Sequence, residues 1–265
     1  MTENISSQNR AADYGLPAYF DMQADVGHTK HIGGQKATDK LAKLCRFGPG
    51  QKILYVGSGS GIAAAYLAQK YNCRIVGVDI LPKMVASSQK WAQKKGLVGQ
   101  LEFRVADARD LPFDDNHFDA VISESVNTFI PERERAMAEY VRVIRSGCYV
   151  GMTEAVWVKE PSAELAKVIN EATNQEFKPT QVWETLFLEA GLTDLVAETH
   201  AMGLREEARN QTGLLSFSDY MRILGKSVLA LFKNAETRAL VKYAGSNPKE
   251  YFGYMGYGIY VGRKP

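Results

Sequence analysis

An uninterrupted apolar run, followed by closely spaced glycines and then a helical pattern, is the clearest feature of the sequence. Residues 53–56 are all apolar, which is typical of a strand buried on both faces of a parallel sheet. Residues 62–67 then place their larger apolar side chains on one helical face. Between these segments the glycines occupy alternate positions, Gly57, Gly59 and Gly61. The pattern predicts a strand, a tight glycine turn and a helix, which is the architecture of a nucleotide-binding unit.

A second apolar strand pattern ends in a carboxylate. Residues 73–78 are mostly apolar and lead into Asp79, which follows the glycines by about 20 residues. That spacing fits one β-α-β unit with the acid at the tip of its second strand, where it can accept hydrogen bonds from both ribose hydroxyls. The alternative is that Asp79 only caps the helix that is predicted to begin near Pro82.

Strand and helix patterns continue to alternate along the chain, which predicts an α/β fold. Further strands are predicted over residues 101–108, 118–123, 149–157, 192–199 and 251–262. Further helices are predicted over residues 37–45, 82–95, 131–145, 161–174 and 180–190.

Composition and charge narrow the class of protein. At 265 residues and 45% hydrophobic content, the chain can bury one good core with additional segments around it. The net charge of +2 gives no sign of the large basic surface that nucleic-acid binding requires. The polar start of the chain and the lack of a long apolar segment predict a cytoplasmic protein without a membrane span. The scattered cysteines favour a reducing compartment and form no metal-binding pattern, at Cys45, Cys73 and Cys148.

The spacing of the glycines distinguishes between two kinds of nucleotide ligand. The dinucleotide-binding fingerprint is G-x-G-x-x-G, but here Ile62 stands where its third glycine would be. The sequence G-x-G-x-G directly after a strand resembles motif I of the class I S-adenosylmethionine (SAM) methyltransferases. A tight turn without a ligand is the alternative for the glycines alone, and the acid at Asp79 favours cofactor binding.

Further signatures in the same order resemble the SAM methyltransferases that act on small molecules. Asp107-Ala108 ends the third predicted strand, and a Leu-Pro-Phe-x-x-x-x-Phe-Asp segment begins at Leu111. The resemblance covers residues 52–157 well and continues more weakly to residue 195. It implies a Rossmann-like, seven-stranded sheet of order 3-2-1-4-5-7-6, with strand 7 antiparallel, and a helical cap. The turn before strand 5 often reads Pro-Gly-Gly in the family, whereas here it is Ser146-Gly147-Cys148.

The same resemblance implies that the protein binds SAM and releases S-adenosylhomocysteine. Asp79 would hold the ribose, Asp107 would accept a hydrogen bond from the adenine amino group, and Glu124 would lie beneath the sulfonium. The implied cofactor-binding residues are Gly57, Ser58, Gly59, Gly61, Asp79, Ile80, Asp107, Ala108, Ser123 and Glu124.

The resemblance also divides the chain into segments. Residues 1–48 are expected to form an N-terminal helical cap, and residues 49–200 the SAM-binding core. Residues 201–250 are expected to be a helical insertion before the final strand, within residues 251–265. We expect residues 11–35 of the cap and residues 201–250 to form a lid across the carboxyl ends of the strands, where open parallel sheets bind ligands.

Candidates for the chemistry come from the segment His31-x-Gly-Gly-x-x-Ala-Thr, which resembles small-molecule methyltransferases of the amine and sarcosine type. His31 could accept a proton from the acceptor, and Glu124 could attract a cation. A capping or packing histidine is the alternative for His31. Tyr14, Tyr19 and Glu154 are weaker substrate-contact candidates, because the tyrosines suit a core and Glu154 suits an exposed strand end.

Three functions remain open from the sequence. The first is methyl transfer to a small molecule, with amines among the candidate acceptors; the second is methylation of a lipid, a quinone ring or RNA. The third is a SAM-binding protein without catalysis. The mild charge disfavours RNA, and no Asn-Pro-Pro-Tyr motif follows strand 4, which disfavours methylation of base amino groups. A monomer and a homodimer are both compatible with the sequence.

Overall fold

A computed structural model describes residues 18–27, 29, 31–173, 176–203, 218–219, 221, 223, 225 and 253–265. A seven-stranded sheet forms the centre of the molecule, and its order, β3-β2-β1-β4-β5-β7-β6, confirms the predicted order. The strands are β1 (Lys52–Val56), β2 (Arg74–Asp79), β3 (Leu101–Val105), β4 (Phe118–Glu124), β5 (Ile144–Trp157), β6 (Thr193–Ala201) and β7 (Met255–Arg263).

Helices cover both faces of this sheet. They are α1 (Ala18–Val26), α2 (Gly34–Leu44), α3 (Ile62–Tyr71), α4 (Pro82–Lys95), α5 (Arg133–Val143), α6 (Ala163–Thr173) and α7 (Thr180–Glu189). Helix α2 accounts for the one predicted over residues 37–45, and Ala37, Leu41 and Cys45 are buried in the larger of the two main cores.

The parallel strands bring the functional segments to one edge of the sheet. Val56, the last residue of β1, pairs with Val78 of β2 and with Ser123 of β4. The glycine turn, Asp79 and Glu124 therefore emerge together at the carboxyl edge. Strand β7 runs antiparallel to both β5 and β6, as predicted, so its first residues reach the same edge.

Strand β5 begins at Ile144, earlier than predicted, and includes the segment that was expected to form a turn. Gly147 has a φ of +79°, and its N–H donates to the carbonyl of Lys264, while the N–H of Lys264 donates to the carbonyl of Cys148. At the start of the strand, Ile144 pairs with Phe118 of β4. These long-range pairings extend β5, and the local glycine signal does not reveal them.

Asp219, within the predicted insertion, lies beside α4. Asp219 is buried and forms ion pairs with Lys94 and Lys95, in the last turn of α4. Because α4 runs back from the carboxyl edge, these ion pairs lie at the opposite end of the helix from Pro82. Most of residues 201–250 lie outside the described residues, and so do Tyr14 and the side chain of Tyr19.

Candidate active site

The three glycines adopt left-handed backbone conformations in the turn between β1 and α3. Gly57, Gly59 and Gly61 have φ values of +66°, +52° and +76°. A Cβ atom on Gly57 would lie 2.3 Å from Val126, and one on Gly59 would lie 2.5 Å from Thr29. Glycine is therefore required here both by the backbone conformation and by the close approach of neighbouring loops.

Asp79 is fixed at the tip of β2 by two backbone donors. Its Oδ2 accepts from the N–H of Gly59 at 2.9 Å, and its Oδ1 accepts from the N–H of Leu81 at 3.0 Å. Burial raises the pKa of Asp79 to about 6, and these two hydrogen bonds oppose that shift. A carboxylate offers about four lone-pair directions, so the pair of N–H groups leaves acceptor capacity for a ligand.

A cleft that is open to solvent lies above the carboxyl edge, and its lining is mostly apolar with a few polar side chains, as is usual for a small-molecule site. Phe20 and Gln23 of α1 form part of its wall. The predicted site residues that line it are His31, Gly57, Ser58, Gly59, Asp79, Ile80, Ala108 and Glu124.

Gly61 and Asp107 make other contacts and are not part of the lining. A Cβ atom on Gly61 would lie 2.8 Å from Ser88, so this glycine allows α3 to approach α4. Arg109 donates to both carboxylate oxygens of Asp107, through Nη2 at 2.8 Å and Nε at 3.1 and 3.2 Å. The adjacent Ala108 lines the cleft, so the third strand still contributes to it.

Ser123 and Glu154 belong to a buried network beneath the loop that follows β4. Glu154 Oε1 accepts from the N–H groups of Val126 and Asn127 and from Asn127 Nδ2, at 3.2, 2.8 and 2.9 Å. Ser123 Oγ also accepts from Asn127 Nδ2. Burial raises the pKa of Glu154 to about 7. The structure thus places Glu154 where it holds the Val126 loop rather than on the cleft surface.

Glu124 is enclosed by residues of three elements. Its Oε1 accepts from Thr38 Oγ1 of α2 at 2.9 Å, and its Oε2 accepts from the Tyr55 hydroxyl of β1 at 2.5 Å. His31 Nε2 lies 2.9 Å from Thr38 Oγ1 and 3.7 Å from Glu124 Oε1. The two predicted catalytic residues are therefore brought together, with Thr38 between them.

Tyr55 and Thr38 are the two residues of this cluster that sequence reasoning did not assign. The apolar pattern of residues 53–56 predicts a strand and gives Tyr55 no polar role, although a buried tyrosine hydroxyl needs a partner. Thr38 belongs to the motif that begins at His31, but its role depends on its contact with β4. That contact spans 86 residues of sequence and cannot be inferred from local pattern.

Comparison with known proteins agrees with this geometry. The profile of the family described as Methyltransferase domain matches residues 54–152. The chain is 30% identical over 177 residues to an uncharacterised protein of Haemophilus influenzae, covering 65% of this chain and 70% of that protein. The chain belongs to the class I SAM-dependent methyltransferases.

This methyltransferase is also similar to two proteins that are named phosphoethanolamine N-methyltransferases. It is 29% identical to phosphoethanolamine N-methyltransferase 1 of Arabidopsis thaliana, over 63% of this chain but only 33% of the relative. Phosphoethanolamine N-methyltransferase 2 of Haemonchus contortus, solved with SAM, superposes with a TM-score of 0.71. That alignment covers 93% of this chain and 56% of the other at 19% identity, and it shows the shared fold.

The residues present fit SAM, the cofactor of this family. The glycine turn brings backbone rather than side chains to the cleft, and the fixed carboxylate of Asp79 stands at its rim. In the described part of the chain, no helix has the length and apolar character needed to cross a membrane.

Proposed function

We propose that this methyltransferase transfers the methyl group of SAM to the nitrogen of a small amine. The observation that carries the proposal is the carboxylate of Glu124, whose side chain is 0% exposed and lies beside His31 at the cleft. Among the described residues, no lysine or arginine forms an ion pair with it. A cationic acceptor is attracted by such a charge, because the surrounding protein screens it less than water does.

We assign the cofactor to the cleft in the orientation that the family resemblance implies. The methionine end lies along Gly57, Ser58 and Gly59, the ribose on Asp79, and the adenine against Ile80 and Ala108. Two observations support this assignment: the positive φ values of the glycines and the two backbone donors that hold Asp79 in place.

When bound, SAM supplies an electrophilic methyl carbon together with its own leaving group. The N–C bond forms as the C–S bond breaks, and the electron pair of the C–S bond remains on sulfur. The protein must therefore align the acceptor nitrogen and exclude water. An ammonium acceptor must first lose a proton, and His31 in the cleft wall is the candidate base.

Methylation of an apolar acceptor such as a lipid or quinone ring is the second candidate. The aromatic part of the cleft wall favours it, since Phe20 meets Phe129 edge-on at 5.0 Å and Ile130 lies beside them. A SAM-binding protein without catalysis is the third possibility, and it predicts binding without turnover.

An acceptor screen with methyl-labelled SAM tests these alternatives. Small amines, thiols, phenols and vesicle-borne lipids are offered separately, and transfer of label is measured. We expect amines to be methylated, and His31→Ala to lower kcat by about 100-fold or more while SAM affinity is unchanged. Label transfer to the other classes alone, or to none, would overturn the proposal.

A further inference from the structure

The contact between His31 and Glu124 passes through one hydroxyl group. Thr38 Oγ1 lies 2.9 Å from His31 Nε2, 2.9 Å from Glu124 Oε1 and 3.3 Å from the carbonyl oxygen of Gly34. Thr38 is 1% exposed, so water does not compete for these contacts. Gly33 has a φ of +77° and immediately precedes α2, so the chain turns shortly after His31. The imidazole of His31 thereby comes within reach of Thr38 in α2.

Counting hydrogens assigns the direction of this chain of contacts. A threonine hydroxyl carries one proton, and Glu124 Oε1 and the Gly34 carbonyl can only accept. The contact with Glu124 Oε1 is the shorter of the two, and its acceptor is charged. The threonine hydroxyl therefore donates its hydrogen bond to Glu124. In its contact with His31, Thr38 Oγ1 must therefore be the acceptor. Nε2 of His31 must then carry a proton.

We propose that Thr38 is a positioning residue that links His31 to Glu124 and leaves Nδ1 of His31 as the atom that accepts the proton of the acceptor. This inference rests on the proposed function only for its last step. In that step the N–H bond of the acceptor ammonium breaks, its electron pair stays on nitrogen, and the proton binds Nδ1. The positive charge that forms on the imidazole then lies 3.7 Å from Glu124 Oε1.

Glu124 acts through its neighbours rather than by touching the acceptor. Both residues border the cleft, but the side chain of Glu124 is 0% exposed, whereas that of His31 is 12% exposed. The Tyr55 hydroxyl occupies Oε2, which leaves Oε1 for Thr38. In the parts of the chain that are described, Nδ1 of His31 has no hydrogen-bond partner, so it is available to a ligand.

Other titratable groups surround this cluster. Tyr55 on β1 and Cys45 at the end of α2 both have raised pKa values, because of burial and of the charge on Glu124. On the other side of α2, the Tyr257 ring lies against Gly33 and stacks on His200, which is 3.4 Å from Glu198. Tyr55 and Cys45 remain protonated at neutral pH, and the carboxylate of Glu124 lies 3.7 Å from Nε2 of His31.

Nitrogen-15 NMR of the labelled imidazoles tests the link without any enzymatic assay. The chain has four histidines, so the signals of His31 can be assigned by their loss in His31→Gln. We expect neutral His31 to carry its proton on Nε2 in the wild type and in Thr38→Ser, and a population with the proton on Nδ1 to appear in Thr38→Val. Thr153→Val is the matched control, because Thr153 is equally buried and its hydroxyl has no described partner.

Kinetics with the amine found in the acceptor screen complete the test. Thr38→Val should lower kcat by about 10- to 150-fold, as expected for one hydrogen bond to a charged group, with unchanged SAM affinity and with rescue by Thr38→Ser. A proton on Nδ1 in the wild type, or an unchanged tautomer in folded Thr38→Val, would overturn the link. If the tautomer behaves as expected but no amine is methylated, the link stands and the proposed function fails.

Discussion

The Tyr55 hydroxyl donates a 2.5 Å hydrogen bond to Oε2 of Glu124 and so joins the ends of two neighbouring strands at the floor of the cleft. Burial, followed by the charge and the hydrogen bond of Glu124, raises the pKa of Tyr55 well above its ordinary value. Tyr55 therefore remains a donor across the physiological pH range. The bond satisfies a carboxylate oxygen that would otherwise be buried without a partner.

Removing this hydroxyl should destabilise the fold. We expect Tyr55→Phe to lower the free energy of unfolding by about 1.5–3 kcal/mol, the usual contribution of a hydrogen bond to a charged group. Tyr71→Phe is the control, since the Tyr71 hydroxyl is buried without a described partner and its loss should change little. Urea unfolding of the two variants makes the comparison, and equal effects would argue against the importance of the Tyr55 bond.

Alanine substitutions at two glycines distinguish the effect of backbone strain from the effect of a steric clash. Gly57 and Gly96 have φ values of +66° and +68°, so alanine should cost about 1–2 kcal/mol at either position. A Cβ atom at Gly57 would collide with Val126, whereas a Cβ atom at Gly96 would have no other residue's atoms within 4 Å among the described residues, its chain neighbours aside. We expect Gly57→Ala to weaken SAM binding strongly and Gly96→Ala to leave it unchanged in calorimetry. Similar SAM affinities in the two variants would remove Gly57 from the cofactor site.

Glu154 should make stability depend on pH. Its pKa is raised to about 7 in the folded protein from an ordinary value of 4.5, so the fold favours its protonated form. Its contribution is fully present below about 4.5 and is lost as the pH rises through about 7, by about 1.4 kcal/mol for each unit of pKa difference.

Glu154→Gln tests this contribution, because its carbonyl can keep the donors of Val126 and Asn127 without the charge. We expect a flatter dependence of unfolding free energy on pH in Glu154→Gln than in the wild type. Glu102→Gln, at a half-exposed side chain, should follow the wild-type curve. Parallel curves for all three proteins would show that Glu154 has an ordinary pKa.

The lid over the site remains a prediction. Phe20 and Gln23 of α1 line the cleft, which supports a covering role for the N-terminal segment. We expect amide hydrogen exchange to slow in residues 11–35 and 201–250 when SAM and an acceptor or product analogue bind. Exchange that is unchanged in both segments would rule out the lid.

Much of the fold was predictable from local patterns. The apolar run of β1, the glycine turn and the acid after β2 each carry their own signal, and the resemblance of this series to the SAM methyltransferases implied the sheet order. The start of β5 was not predictable, because Ile144 pairs with Phe118 of β4 and the backbone of Gly147 and Cys148 pairs with Lys264.

The site was predictable only where its residues follow a motif. Asp79, Gly57 and Gly59 line the cleft, whereas Gly61 packs against α4. The carboxylate of Asp107 is bound by Arg109 and that of Glu154 by the Val126 loop. Which way a side chain turns at a strand end depends on such tertiary partners. The contacts of Thr38 and Tyr55 with Glu124 likewise arise only when three distant segments pack together.

Calorimetric titration with SAM of the wild type, Asp79→Ala and the surface control Asp115→Ala tests the central claim, that Asp79 and the glycine turn hold the cofactor. Asp115 is exposed and lies outside the cleft lining. We expect folded Asp79→Ala to bind SAM about 10- to 150-fold more weakly, through the loss of hydrogen bonds to a charged group, and Asp115→Ala to match the wild type. Wild-type affinity should also fall as Asp79 is protonated below its pKa of about 6. Unchanged affinity in folded Asp79→Ala would contradict the account.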